Sequence, residues 1–310
     1  MSEQKPAAIR YALPAAAGMA TVAVLNGLWS SPDLKLYDML PHAYGVYLPS
    51  ALVALALLWW TLRLGTVTNR DVGLDTSGWT APRRLLALAM ILFMGYGGYA
   101  TLELSKDGGS QTTENLADDS RDAGQTVETA PAVEKPSWGD YCFWFVFLLS
   151  ASLVELLVFV CLGFCLPEKW LKEKTSLPPW SATVLAALFA AFMFGIYHYT
   201  HEPRFHDYVY SPLMPVMLLN LTCFIATRNF HLTLILHNSF AAVGFTQEQW
   251  GELAKPSPAV EYTVAHYLNP AAPLLPALII SFVAPYLLLL WIEYKHQRLP
   301  HIDAPTAHGG

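Results

Sequence analysis

Residues 152–166 read SLVELLVFVCLGFCL, and Glu155 is the one charged residue in this run. The run lies inside the apolar stretch 138–166, which exceeds the roughly 20 residues needed to cross a bilayer. Over the whole chain of 310 residues, 54% are hydrophobic and 14% are charged. Soluble domains carry about 25% charged residues. The sequence therefore predicts an all-α, polytopic integral membrane protein whose first partner is the lipid bilayer.

Apolar stretches of spanning length predict about eight transmembrane helices. They are 8–29, 43–64, 84–104, 138–166, 180–199, 209–227, 230–245 and 271–294. The first is predicted to be a retained helix, because its apolar run is longer than that of a cleaved signal peptide. All four cysteines lie inside apolar stretches and are predicted to be small core residues.

An acidic loop at 105–137 divides the chain. It holds seven acidic and three basic residues and almost no bulky apolar side chain, so it is predicted to be flexible. The predicted organisation is a three-helix membrane segment at 1–104, this loop, a membrane core at 138–294 and a polar tail at 295–310.

The basic residues predict an orientation, because Lys and Arg near helix ends favour the cytoplasmic side. With the N-terminus inside, the inner segments hold 12 of the 18 basic residues. Both termini are therefore predicted to be cytoplasmic, with the acidic loop on the opposite side. Lys and Arg form no dense patch, which excludes nucleic acid as a partner.

Ionisable side chains inside a span are costly and are therefore candidate functional groups. Glu155 lies in the middle of the fourth span, His198 ends the fifth, His231 begins the seventh and His237 lies near its middle. A carboxyl among leucines is neutral, paired with a cation or bound to a metal, because burial disfavours its charge. Glu155, His198 and His237 are predicted to share one polar site. Isolated interhelical hydrogen bonds remain the simpler interpretation of each.

Convergence of these three residues sets a condition on the fifth helix. At 1.5 Å per residue, His198 lies about 27 Å from the start of that span, deeper than the other two residues. The helix must therefore begin later than Trp180 or tilt.

The order of these residues resembles the CPBP family of intramembrane metal-dependent proteases, which includes CAAX prenyl endopeptidases and bacteriocin-processing proteins. That family carries E-E-x-x-x-R, then F-x-x-x-H, then H-x-x-x-N, and the second motif is intact here as Phe194 to His198. His237 occupies the first position of the third motif. Upstream, residues 69–74 and the Gly-Trp pair at 78–79 resemble a D-x-G-L and W pattern that precedes the family's core. The resemblance covers about residues 68–244 without the acidic loop.

The resemblance implies a CPBP-like helical bundle and a hydrolytic site. Glu155 would be the general base, and His198 and His237 would ligand a divalent metal such as zinc or stabilise the oxyanion.

The sequence departs from the family motifs at three places. Val154 stands where the first glutamate would be, and no arginine follows at Phe159 or Val160. Ala241 stands where the third motif places asparagine. These losses remove charged and polar groups that the hydrolytic site would use.

Three functions remain open on the sequence alone. The incomplete motifs favour a catalytically impaired or non-catalytic member that acts as a structural or assembly subunit beside other membrane proteins. The first alternative is an active intramembrane metal-dependent endopeptidase that uses Glu155, His198 and His237. The second is a haem- or pigment-binding membrane subunit, with His198, His231 or His237 as an axial ligand.

Overall fold

The structure is a computed structural model that describes residues 5–29, 31, 33–34, 43–75, 138–198, 213–253 and 279–298. All regular secondary structure in these ranges is helical. The helices are α1 (Lys5–Trp29), α2 (Leu48–Arg63), α3 (Trp138–Phe147), α4 (Leu149–Glu155), α5 (Cys165–Lys174), α6 (Pro179–His198), α7 (Met214–Thr227), α8 (Phe230–Leu253) and α9 (Ala284–Arg298). Wider π-helical turns occupy Ala43–Tyr47, Leu156–Leu162 and Ile279–Val283.

Within the described ranges, four helical segments are long and apolar enough to cross a membrane. They are Ala8–Trp29, Tyr44–Arg63, Leu149–Lys174 and Pro179–His198, and they correspond to the first, second, fourth and fifth predicted spans. The helix α7 is apolar but shorter. The predicted span 84–104 and the acidic loop 105–137 lie outside the described residues. The apolar helices support a membrane protein, while the total of about eight spans and the orientation of the termini stay predictions.

The segment Leu149–Lys174 forms the centre of the bundle, and we call it the central helix. It consists of α4, the π turn Leu156–Leu162 and α5, and the side chains of its middle part are almost all buried. The helices α1, α2, α6 and α8 pack around it. This position is consistent with the sequence of residues 152–166, which is apolar on all sides. Glu155 lies where α4 meets the π turn, so protein rather than lipid surrounds it.

The chain after α2 folds back onto the bundle through Gly73. This glycine has a φ of +74°, and a Cβ there would lie 2.6 Å from the Phe224 ring and 2.9 Å from the Phe230 nitrogen. The Gly73 carbonyl accepts a hydrogen bond from the Phe230 amide at 2.9 Å. Val72 and Leu74 are fully buried on either side. The D-x-G-L segment therefore docks against the turn between α7 and α8.

The cysteines follow the sequence prediction at three of four positions. Cys161, Cys165 and Cys223 are buried, but Cys142 is exposed. The helix α3 buries Trp144 instead, which lies two residues on and so about 200° around the helix. The prediction that Cys142 is a core residue is therefore wrong.

Candidate functional site

Glu155 and His237 form a direct hydrogen bond between the central helix and α8. His237 Nε2 lies 2.7 Å from Glu155 Oε2. The side chain of His237 is 4% exposed and that of Glu155 is 13% exposed. At such burial little solvent competes for the hydrogen bond, and each of the two polar groups has a partner inside the apolar interior.

Asn220 on α7 determines which nitrogen of His237 carries its proton. The amide nitrogen of Asn220 donates to the Val216 carbonyl at 2.9 Å, which sets the orientation of the amide group. The same nitrogen lies 2.9 Å from His237 Nδ1. Because an amide nitrogen only donates, Nδ1 is the acceptor and the proton lies on Nε2. His237 therefore donates from Nε2 to the Glu155 carboxylate.

His198 reaches the same site from the end of α6. Its Nδ1 donates to the Phe194 carbonyl, one turn earlier, at 2.8 Å, which leaves Nε2 as the acceptor nitrogen. The Phe194 ring contacts both imidazoles, with centroid distances of 4.5 Å to His198 and 6.0 Å to His237. Both residues of the F-x-x-x-H motif therefore contribute to the site. The Phe194 carbonyl orients His198, and the Phe194 ring contacts both His198 and His237.

The structure brings the three predicted site residues together. His198 lies within electrostatic range of both Glu155 and His237. The helix α6 begins at Pro179, one residue before Trp180. A later start of this helix therefore does not explain how His198 reaches Glu155 and His237.

His231 takes part in a separate contact at the start of α8. Its Nδ1 lies 3.0 Å from the Tyr286 hydroxyl, and its Nε2 lies 3.7 Å from Glu293. It is six residues, or about 9 Å of helix, before His237.

Two further polar contacts near the site were not anticipated from the sequence. Ser152 donates to the side-chain oxygen of Asn238 at 2.9 Å, and the Asn238 amide donates to the Phe145 carbonyl at 2.6 Å. Asn220, like Asn238, is fully buried. An amide side chain inside an apolar run is itself a signal of an interhelical hydrogen bond, and this signal was available in the sequence.

The donor set bears directly on the metal that the family resemblance implies. An imidazole needs a nitrogen lone pair to bind a metal, and both nitrogens of His237 are already engaged by Asn220 and Glu155. Across the part of the chain that the structure describes, no group of three or more His, Cys, Asp or Glu residues could hold a metal ion. Zinc could use His237 only if the hydrogen bond from Asn220 to Nδ1 opened, or if Nε2 lost its proton and its bond to Glu155 opened. The arrangement described does not fit a resident metal.

A second buried cluster of charges surrounds Glu168 on α5. The Arg228 guanidinium donates to both oxygens of Glu168, at 2.7 and 2.9 Å. Lys172 and Thr183 also donate to Glu168, each at 2.7 Å. Glu168 lies 13 residues after Glu155, about 20 Å along the helix axis, so the two clusters are distinct. The sequence prediction counted Lys172 and Arg228 only among the basic residues of the inner segments and did not anticipate the cluster.

The docked segment after α2 joins this charged end through Asp71. Lys169 donates to the Asp71 carboxylate at 2.6 Å. Partial burial acts to raise the pKa of Asp71, but the hydrogen bonds from Lys169 and Thr68 outweigh it and hold the pKa below its usual 3.8. The D-x-G-L aspartate therefore stays ionised and ties the segment to α5.

Comparison with protein-family profiles, curated proteins and solved structures finds no match. The resemblance to the CPBP family therefore rests on the F-x-x-x-H motif, on the order of Glu155, His198 and His237 and on the D-x-G-L and W pattern at 69–79. The structure adds direct contacts to this order. His237 on α8 contacts Asn220 on α7, Glu155 on the central helix and the Phe194 ring on α6.

Proposed function

We propose that this chain is a divergent, non-catalytic relative of the CPBP family that acts as a structural or assembly subunit of a membrane complex. One observation carries the proposal: His237 uses both ring nitrogens in hydrogen bonds, to Asn220 and to Glu155. The carboxylate that would activate water is thereby bonded to a side chain of its own protein. We call Glu155, His237 and Asn220 the polar lock, because the three residues join the central helix, α8 and α7.

The strength of the polar lock is consistent with a structural role. A hydrogen bond to a charged group contributes about 1.5–3 kcal/mol, more than a neutral one. The groups that hydrolysis would add are missing, since Val154 and Ala241 replace a carboxylate and an amide of the family motifs. The hydrogen bonds of Glu155, His237 and Asn220 remain, and they join three helices.

The outer surface of α6 supports contacts with lipid and with other membrane proteins. Val184, Leu188 and Phe192 are all exposed on this helix. They lie on a helix that is long and apolar enough to cross a membrane. Such a face suits acyl chains and the helices of neighbouring subunits.

A second candidate, an intramembrane endopeptidase, is favoured by the convergence of the site residues. His198 and His237 both contact the Phe194 ring, and His237 is bonded to Glu155, although the three residues come from separate helices. The side-chain oxygen of Asn220 is buried there without a hydrogen-bond partner, so it could accept from a water molecule or a peptide N–H. In this candidate Glu155 takes the proton of the attacking water.

The Glu155→Gln variant separates the two candidates. The carboxamide oxygen still accepts from His237 Nε2, so the structural function predicts the wild-type pattern of membrane-protein termini and the wild-type set of membrane complexes. The protease predicts that the variant behaves like a deletion of the chain, because an amide cannot take a proton from water. Mapping the peptide termini of membrane proteins in the native host, in wild-type, variant and deletion cells, makes the measurement.

The assembly role has its own test. After extraction in a mild detergent, the chain is expected to migrate with other membrane proteins, well above its own mass of 34.3 kDa. An isolated monomer under every mild condition would contradict the assembly role.

A further inference from the structure

A long apolar groove runs between α1, the central helix and α6. Its volume is about 630 Å³. Small side chains on α1 form one wall, and larger ones on the other two helices form the rest; they include Ala12, Ala16, Ala20, Trp170, Phe189 and Met193. All three helices belong to segments that are long and apolar enough to span a membrane. The open side of the groove therefore faces the hydrocarbon of the bilayer.

The length and the apolar lining of the groove suit an extended alkyl chain. From Ala12 to Ala23 the groove follows 11 residues of α1, or about 16 Å. An alkyl chain, about 4 Å wide at ordinary carbon contact distances, fits along the groove.

The charges at one end favour an anionic headgroup. Tyr11 marks that end. The exposed Lys174 lies on the groove face of α5, three residues after Leu171. The exposed Arg10 lies at the same end of α1, two residues before Ala12 and about 200° around the helix from it. Glu173 and Asp71 are acidic residues at this end. The Glu173 carboxylate accepts a hydrogen bond from the Tyr11 hydroxyl at 2.8 Å, and the Asp71 carboxylate accepts one from Lys169 at 2.6 Å. The two cations therefore offer their charge to a phosphate at the membrane surface.

The other end of the groove approaches the polar lock. Phe159 and Tyr197 line it there, with ring centroids 5.4 Å apart. The Tyr197 ring in turn contacts His198 at 4.9 Å. An acyl chain that fills the groove would therefore end with only the Tyr197 side chain between it and His198.

We propose that this groove binds one acyl chain of an anionic phospholipid, with the phosphate beside Arg10 and Lys174 and the chain end against Phe159 and Tyr197. Left empty, the apolar walls would lose their van der Waals contacts along the whole groove. The proposal is independent of whether the polar lock is structural or catalytic, because it rests on the groove and its charges alone.

The test compares lipid retention by a double alanine-to-leucine variant in the groove and by a single alanine-to-leucine control outside it. Ala16→Leu with Ala20→Leu fills the groove, and both positions are exposed enough to accept the larger side chain. Ala226→Leu on α7 is the control, since Ala226 is exposed and lies outside the groove. Each protein is loaded in nanodiscs of phosphatidylglycerol or phosphatidylcholine, washed in detergent and analysed by native mass spectrometry.

The wild-type chain and the control are expected to retain about one phosphatidylglycerol, and the double variant is expected to lose it. Replacing Arg10 and Lys174 with glutamine is expected to abolish the preference for phosphatidylglycerol over phosphatidylcholine. Equal phosphatidylglycerol retention by the double variant and the wild-type chain would overturn the proposal. So would the finding that the double variant loses a bound polypeptide rather than a lipid.

A second measurement uses the wild-type chain alone and so does not depend on the folding of a variant. A phosphatidylglycerol with a photoreactive group near the end of one acyl chain is expected to label the groove, at Phe159, Met193 or Tyr197. Labelling confined to the outer face of α6, at Leu188 or Phe192, would overturn the proposal.

Discussion

Replacing Glu168 with glutamine is expected to lower the free energy of unfolding by about 3 kcal/mol. The Glu168 side chain is 6% exposed, and the change leaves Arg228, itself 27% exposed, without its anionic partner. The variant also weakens the hydrogen bonds from Lys172 and Thr183. Arg228 ends α7 in a left-handed conformation, at a φ of 47°. Loss of its partner should therefore loosen the turn against which Gly73 docks. Equilibrium unfolding in mixed micelles measures the change.

The matched control is Glu173→Gln on the same helix. The Glu173 side chain is 42% exposed, lies 4.0 Å from Lys169 and accepts a hydrogen bond from Tyr11. The amide oxygen of glutamine can still accept from Tyr11, so the variant should cost less than about 1 kcal/mol. In a double-mutant cycle, Arg228→Gln should cost little once Glu168 is already glutamine. Additive losses in that cycle would contradict a direct Glu168–Arg228 interaction.

Replacing His237 with leucine is expected to cost about 3 kcal/mol of unfolding free energy. The variant removes the donor to Glu155 and leaves a carboxyl group in the core of the bundle without this partner. It also removes the acceptor for one of the two hydrogen bonds from the Asn220 amide. Most of the loss should reflect the unpaired carboxyl, because burying a polar group without a partner is costly.

His231→Leu is the control for this variant, since it makes the same substitution on the same helix. The His231 side chain is 25% exposed, its carboxylate neighbour lies 3.7 Å away and its hydrogen bond with Tyr286 is only partly buried, so the expected cost is about 1 kcal/mol. Glu155→Gln should also cost little, because the amide oxygen still accepts from His237. Equal losses for His237→Leu and His231→Leu would mean that the polar lock does not hold the helices together.

The central helix and its acidic residue could be predicted from the sequence, because both depend on local composition. A run such as 152–166 is apolar on every face, so it must lie away from water, in lipid or in protein, and Glu155 inside it needs a partner. The F-x-x-x-H motif is local as well, since Phe194 and His198 lie one helical turn apart. These features needed no knowledge of how distant segments meet.

The remaining features depend on contacts between segments that are far apart in the chain. Nothing local to Glu168 indicates that Arg228, 60 residues later, will bind it. The role of Asn220 likewise depends on the position of α7 against α8, which orients the amide toward His237. The groove beside α1 is visible only once three helices are placed together.

The most direct test of the polar lock is the protonation of the His237 ring. Nitrogen NMR of the ¹⁵N-histidine-labelled protein in lipid, with the signal assigned by comparison with His237→Leu, reports which ring nitrogen carries hydrogen. We predict hydrogen on Nε2 and none on Nδ1, and a His237 signal that added zinc leaves unchanged. A ring whose Nε2 is unprotonated and shifts when zinc is added would contradict the polar lock and favour a metal site.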